Sequence, residues 1–490
     1  MKTKSGFRLR EFGGDYILIG ESVELVNFNS LITLNESAAY LWRHVEGKDF
    51  DAETLAQLLL AEYEVDADTA RNDANATLQS WVNAGIVELD MCGEEDIFLY
   101  ILRSVLWGDD NTQCAMHNAQ CAMRSEEWGR VLELANRQSC LHAFGVWILQ
   151  HKVETPYNKT LRANVFATLQ RQARLNRLAA EVVGLLQEHG IQAVLMKGYG
   201  LAILYPDPDT RSYGDVDIYV GTKDYLRAAR VVTEAYPDHY WHSDVWGGIH
   251  YIMCLDEKCD RTIELHRVTM EFADMVGNGV LQAYTEHYMK EPLPVVSLCG
   301  VDVPLPRAAY NALYVFLHAW HHFESTGVGF RQLGDWVLAI HHAYRQATPQ
   351  EWEESVRDIK IILDALRLTP AWQTFGHVAI QTLGLPKEEF PLYTEQYRQR
   401  AKRLTRQLLR DGHGCRPAHQ PIREIALMRR FPWQRPEENR ALQILYTGCR
   451  LVFNAWQTGK MFPAYAWTEL RANLRNAVRE RRLKRKMKWE

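Results

Sequence analysis

The chain has 490 residues, of which 47% are hydrophobic and 24% charged; that is a globular composition of roughly two to four domains and excludes a largely disordered, collagen-like or coiled-coil chain. A net charge of -5 gives no sign of a general polyanion binder, and nine scattered cysteines fit a reducing, cytoplasmic setting rather than a disulfide scaffold. The N-terminus lacks the apolar core of a signal peptide, and no run of about 18 apolar residues is present to span a membrane.

In chain order, Phe7 to Phe12, Tyr16 to Ile19 and Leu31 to Leu34 read as three short strands, with Gly13-Gly14 as a turn. Asn35 is placed to cap a helix whose stripe is Ala38, Leu41, Trp42 and Val45, ending at Gly47. A second helix starts near Asp51. A third starts at Asp66, turns Leu78 and Trp81 inward and stops at Gly85. The acidic run Gly93 to Asp96 reads as a linker. From Phe98 to His189 the pattern is helical. Ile191 to Met196 is a short buried strand, followed by Lys197-Gly198-Tyr199-Gly200 and a short helix stopped by Pro206 and Pro208. Asp215 to Val220 is a strand of period two. A helix follows from Thr222, and Tyr251–Leu255 and Arg261–Val268 flank a turn as an antiparallel hairpin. From Ala308 onward the chain reads as helical.

The chemistry concentrates around Asp215-Val216-Asp217. In a strand, alternate side chains share a face, so Val216, Ile218 and Val220 point to the core and Asp215 and Asp217 point together to the other side. Two carboxylates side by side repel unless they face water or hold a cation. In the hairpin, Thr262, Glu264 and His266 share one face. If that strand lies beside the Asp215–Asp217 strand, Glu264 becomes a third acid on the same side. Three acids around Mg²⁺ suit phosphoryl or nucleotidyl transfer, because the metal stabilises attacking and leaving oxygens. Gly198 and Gly200 allow backbone amides to approach a phosphate, and Lys197 and Arg211 can neutralise its charge.

The stretch from Met196 to Val220 resembles the nucleotidyltransferases of the DNA polymerase β-like superfamily. It is most similar to a bacterial family with a Lys-Gly turn, an Arg before the Asp-x-Asp strand and a Glu-Leu-His strand. Lys197-Gly198, Arg211, Asp215, Asp217 and Glu264-Leu265-His266 carry the match, and His318, Arg331 and Asp335 match that family's helical positions. The turn departs from the superfamily's usual Gly-Ser. The resemblance implies catalytic and metal-holding roles for Asp215, Asp217 and Glu264. It implies nucleotide binding by Lys197, Gly198, Arg211, His266, His318, Arg331 and Asp335, with Mg²⁺ as cofactor and an NTP as co-substrate.

Residues 7–90 resemble the small PqqD-like peptide recognition domains, through Leu34-Asn35-Glu36-Ser37-Ala38, Leu41-Trp42, Gly47, Tyr63 and the ending from Trp81 to Val87. The resemblance implies that a leader peptide adds as an edge strand at Leu31, Ile32, Thr33 and Leu34 and packs on the third helix near Leu78. A packing-only winged-helix module is the alternative. A DNA-binding one is disfavoured, because the third helix carries Asp66, Asp68 and Asp73 against Arg71.

Other motifs are weak. His318, His321, His322, His341 and His342 lack zinc-ligand spacing, and Cys114/Cys121 and Cys254/Cys259 read as structural thiols. No P-loop, dinucleotide fingerprint or nucleophile elbow occurs. Residues 471–490 hold nine basic residues against two acidic ones, which reads as a solvated helix or as a contact for RNA or an acidic partner.

The expected fold is α+β: a winged-helix-like module of three strands and three helices over 1–92, helices over 97–190, and a nucleotidyltransferase mixed sheet over 191–300. Helices completing the site follow over 301–420, and a basic tail over 421–490. The expected function is Mg²⁺-dependent transfer of a nucleotide to a leader-bound precursor peptide in a ribosomal-peptide modification pathway. The alternatives are a catalytically silent peptide-binding adaptor and a toxin or defence transferase acting on tRNA or protein. Asp217→Asn is expected to stop transfer and leave the fold intact.

Overall fold

The computed structural model describes residues 2–3, 6–12, 15–20, 32–84, 86–88, 93–108, 125–243, 250–290, 292–412, 451–452, 455–456 and 458–486. They fall into two units. The first is Met1–Tyr100 with 109–130 and 151–156, and the second is 101–108, 131–150 and 157–490. No helix among the described residues is long and apolar enough to cross a membrane.

In the first unit, strands β1 (Lys2–Thr3), β2 (Phe7–Phe12), β3 (Asp15–Gly20) and β4 (Ile32–Leu34) precede helices Glu36–Val45, Ala52–Glu62 and Ala67–Asn83, and β5 (Val87–Glu88) closes the unit against β1. Asn35 caps its helix as expected, and Asp51 and Asp66, expected only as helix starts, prove to be caps as well. Asn35 accepts from the Ala38 amide at 2.8 Å, Asp51 completes a capping box with Thr54, and Asp66 accepts from the Thr69 amide. Trp42 and Trp81 are buried edge to face, 5.3 Å apart, and each removes enough apolar area to contribute about 2–3 kcal/mol. The sheet order is β2-β3-β4, so β4 lies at an edge. The acidic run is not a linker: Glu94, Glu95 and Asp96 form the first turn of helix Glu94–Trp107, where the helix dipole favours negative charge.

The second unit is built on a mixed five-stranded sheet. Its strands are β6 (Val194–Leu195), β7 (Val216–Tyr219), β8 (Trp241–His242), β9 (His250–Cys254) and β10 (Thr262–His266), in the order β6-β7-β10-β9-β8. The expected hairpin is β9–β10, and β10 runs parallel to β7. Val216, Ile218 and Val220 enter a core with the long helix Asn158–Glu188 and helix Gly221–Ala235, through Leu178, Val182, Val183, Tyr225 and Val232. A second hairpin, β11 (Val295–Leu298) and β12 (Val301–Pro304), leads into helices Ala308–Ser325 and Phe330–Gln346. The architecture is the α+β arrangement expected. One cysteine reading is corrected: Cys254 and Cys259 are not free thiols but a disulfide. Their five-residue spacing sets the two Cα atoms 4.9 Å apart across the β9–β10 turn.

The C-terminal helix Pro463–Lys486 docks through polar contacts. The Tyr465 hydroxyl donates to Glu324 at 2.7 Å, Glu469 accepts from the Ala273 amide at 2.7 Å, and Asn476 donates to the Ala273 carbonyl at 3.0 Å. The distal end of the basic segment lies outside the described residues. Burial pushes Glu324 up to about 8, against the lowering bond from Tyr465. A carboxyl that binds its proton more tightly when folded than unfolded stabilises the fold most at low pH. That contribution is present below the unfolded value of about 4.3 and is lost as pH rises through the folded value. Stability should therefore fall by about 2 kcal/mol between pH 5 and 7, allowing for partial exposure. Glu324→Gln should flatten that slope and raise the melting temperature near pH 8. Equal pH slopes in the two proteins would contradict the assignment.

Candidate active site

The β7–β10 register sets Glu264 directly opposite Asp217, and strand parity puts both on the sheet face away from the core. Asp217 is only 1% exposed. Its Oδ1 receives the Lys197 ammonium at 2.8 Å and lies 3.0 Å from His266 Nε2. His266 Nε2 is also 3.6 Å from Glu264 Oε2, and His250 Nε2 approaches the same oxygen at 4.0 Å. Burial works against the Asp217 charge, but Lys197 and His266 overcome it and hold the carboxyl far below its usual range. Burial likewise opposes charge on His266, and its bonds to Asp217 and Glu264 raise its pKa. Asp215 is half-buried. The neighbouring Asp217 charge first, then burial and Glu264, push it up to about 6.

Lys197 extends across from the end of β6. Its Nζ also meets His318 Nε2, on helix Ala308–Ser325, at 3.2 Å. An ammonium can only donate, so His318 accepts. Burial, then the Lys197 charge, lowers His318 well below its ordinary value and keeps it neutral.

The turn after Lys197 is shaped by Gly198, at φ 57° and ψ -124°, a conformation that a residue with a Cβ resists. Arg211 fixes that turn. It is buried, donates to the Gly198 carbonyl at 2.9 Å, and forms two bonds to Asp335, at 2.6 and 3.0 Å. Tyr205 donates to Asp335 at 2.8 Å, and Arg331 lies 3.6 Å from it, one helical turn away. Arg211 and Asp335 are therefore spent on each other and on the turn, and Arg331, with its side chain 24% exposed, is the more open of the two arginines beside Asp335. Gly200 also differs from expectation. Its amide donates to the Lys197 carbonyl, and a Cβ there would meet Leu305 at 2.9 Å, so it serves turn closure and packing.

Asp217, Glu264 and His266 offer ligand atoms within 4.8 Å of one another. Asp217 Oδ2 is buried and has no hydrogen-bond partner among the described residues. A buried carboxylate oxygen without a partner, beside a second acid and an imidazole, fits a divalent cation, with Asp215 close enough to feel both acids. Sequence reasoning missed His250 and Tyr205. His250 was findable, because counting back from the hairpin turn pairs it with His266. Tyr205 carried no sequence signal. In the first unit, Ile32 is half-buried, Thr33 exposed and Leu34 buried, and Leu78 packs against the core. Leu31 lies outside the described residues.

Residues 124–367 match the family model described as an uncharacterised nucleotidyltransferase, and residues 23–87 match the model of the coenzyme PQQ synthesis protein PqqD. A solved structure of an antigenic nucleotidyltransferase-like protein from Paracoccidioides brasiliensis is similar at 14% identity, over 45% of this chain and 96% of that one; its TM-score of 0.26 is too low to argue from. No curated protein matches the chain. The sheet, its acids and the Lys197 turn all lie within the first matched segment, so this enzyme carries a nucleotidyltransferase-family segment behind a PqqD segment.

Proposed function

We propose that the protein is a Mg²⁺-dependent nucleotidyltransferase that moves a nucleoside monophosphate from an NTP to an acceptor held by the PqqD segment, a ribosomally made precursor peptide. The observation that carries this reading is the pair Asp217 and Glu264, opposite one another on parallel strands, with a buried Asp217 oxygen left unpartnered. Asp215, Asp217 and Glu264 would hold Mg²⁺, which when bound supplies charge stabilisation to the α-phosphate and the departing pyrophosphate. Lys197 holds Asp217 in its charged form and presents its ammonium beside the Gly198 turn, where it meets triphosphate charge together with Arg331. Glu264, at 20% side-chain exposure the more open of the paired acids, takes the acceptor proton. The acceptor oxygen or nitrogen bonds to the α-phosphorus. The bond from that phosphorus to the oxygen bridging to the β-phosphate breaks, and pyrophosphate leaves with the electron pair.

The test is transfer of label from NTP, with pyrophosphate release, in Mg²⁺ and candidate precursor peptides. Absence of transfer with every NTP and acceptor, combined with retained peptide binding, would leave the adaptor reading; transfer to tRNA would replace the peptide acceptor. The peptide arm rests on the PqqD match and on β4, whose outer edge has no strand partner among the described residues. Leader peptide should bind saturably to the full chain and perturb Ile32 to Leu34. Tight duplex-DNA binding with a steep salt slope and no peptide binding would overturn it.

A further inference from the structure

We infer that the cavity behind the Lys197-Gly198 turn is the subsite for the nucleobase of the NTP, an inference that rests on the nucleotidyl-transfer reading. The cavity holds about 170 Å³ and is walled by the half-buried Tyr199 and Tyr213, with Gln172 and Asn176 of the long helix Asn158–Glu188 beside them. Exposed Ala173 and Asp209 stand at its mouth.

Three features make it a built site for a planar heterocycle. First, its aromatic walls are fixed. The Tyr213 hydroxyl donates to Asn176 Oδ1 at 2.6 Å, and the Arg211 guanidinium stacks over the Tyr213 ring at 5.8 Å. Second, it offers amide chemistry. Asn176 spends its oxygen on Tyr213, and its NH₂ has no partner among the described residues, so it is free to donate to a ring nitrogen or carbonyl. Gln172 is itself buried and tied through its NH₂ to the Arg211 carbonyl, and its Oε1 has no partner among the described residues. Third, the cavity adjoins the phosphate turn. A methyl placed on Gly198 would lie 3.7 Å from the Tyr213 ring and 3.9 Å from the main-chain carbonyl of Asp215, so one glycine separates the aromatic wall from the backbone that leads into β7. Tyr199 follows that glycine directly. A ligand with triphosphate at Lys197 and its base between the two tyrosines uses each of these groups, and bases stack on aromatic faces whatever their edge pattern.

The experiment measures binding of ATP, GTP, CTP, UTP and inorganic tripolyphosphate to the full chain in Mg²⁺ by calorimetry. The wild type should bind at least one NTP about tenfold or more tightly than tripolyphosphate, the scale of one stacked base. Ala173→Trp fills the mouth from an exposed position, and Asn176→Leu removes the amide. Both should bring NTP affinity down to the tripolyphosphate level while leaving tripolyphosphate binding within about twofold, a difference too small to count as a lost contact. Tyr213→Phe keeps the ring and its packing but releases Asn176, and should change the preference among the four NTPs. Equal wild-type affinity for tripolyphosphate and every NTP overturns the base subsite and leaves the transfer reading standing, as does unchanged NTP affinity in folded Ala173→Trp and Asn176→Leu. A wild type that binds neither tripolyphosphate nor any NTP overturns the transfer reading, and the subsite with it.

Discussion

Asp217→Asn is expected to lower transfer by about a hundredfold or more, the scale of losing one preorganised electrostatic group, and to destabilise the protein as well. The sequence alone predicts a tolerated swap, since amide and carboxylate are nearly the same shape and two adjacent acids repel. The structure reverses the second half of that expectation. Asp217 faces Glu264 across the β7–β10 register, but it is also the counter-charge of Lys197, 2.8 Å away with a side chain only 15% exposed, and a partner of His266 at 3.0 Å. The amide leaves an ammonium buried without a full negative partner, a change that costs about 3–5 kcal/mol when a buried pair is broken from one side. Asp215→Asn supplies the contrast. The Asp217 charge pushes Asp215 up to about 6, so neutralising it removes repulsion and should hold or raise the melting temperature, while transfer falls as in the first variant. A labelled-NTP assay and a thermal melt at pH 7.5 separate the two. An Asp217→Asn protein that melts like the wild type would mean that Lys197 does not rely on that carboxylate.

This contrast shows which parts of the site are legible in the sequence. The faces of Asp217 and Glu264 follow from the period of two along each strand, which holds whatever the strand pairs with. Their apposition needs β10 beside β7 in parallel, and that pairing belongs to the tertiary fold. The cap at Asn35 and the helix starts at Asp51 and Asp66 were readable because a cap is satisfied within three residues. Arg211 was not. A guanidinium near a glycine turn fits a phosphate or a distant carboxylate equally well, and the carboxylate that takes it is 124 positions further along the chain. The acids at 94–96 failed for a different reason. Charge without a visible apolar stripe resembles a linker, yet it also marks a helix start. The aromatic cavity beside Gly198 was hidden because Gln172 and Asn176 come from a helix whose pattern gives no hint of what its other face adjoins.

Asp335→Ala should be among the most damaging single changes to the fold outside the acid cluster. Both oxygens of Asp335 meet the Arg211 fork, Tyr205 adds a third bond, and Asp335 and Arg211 are each 3% exposed. Removing the carboxylate strands a guanidinium that cannot shed its charge, at a cost of about 3–5 kcal/mol. Arg211→Lys should be milder in stability but should still slow transfer, because one ammonium cannot span both Asp335 oxygens and the Gly198 carbonyl together. The double change Arg211→Leu with Asp335→Leu tests what the pair is for. With both charges gone, much of the lost stability should return, so the two single effects should be strongly non-additive. Transfer should not return, since no leucine tethers the Gly198 carbonyl and the turn that presents Lys197 is left to drift. Melts and NTP-transfer rates of the three variants decide the matter. A double variant that regains both stability and transfer would show that the pair is only packing, and an Asp335→Ala protein as stable as the wild type would show that Arg211 finds its counter-charge elsewhere.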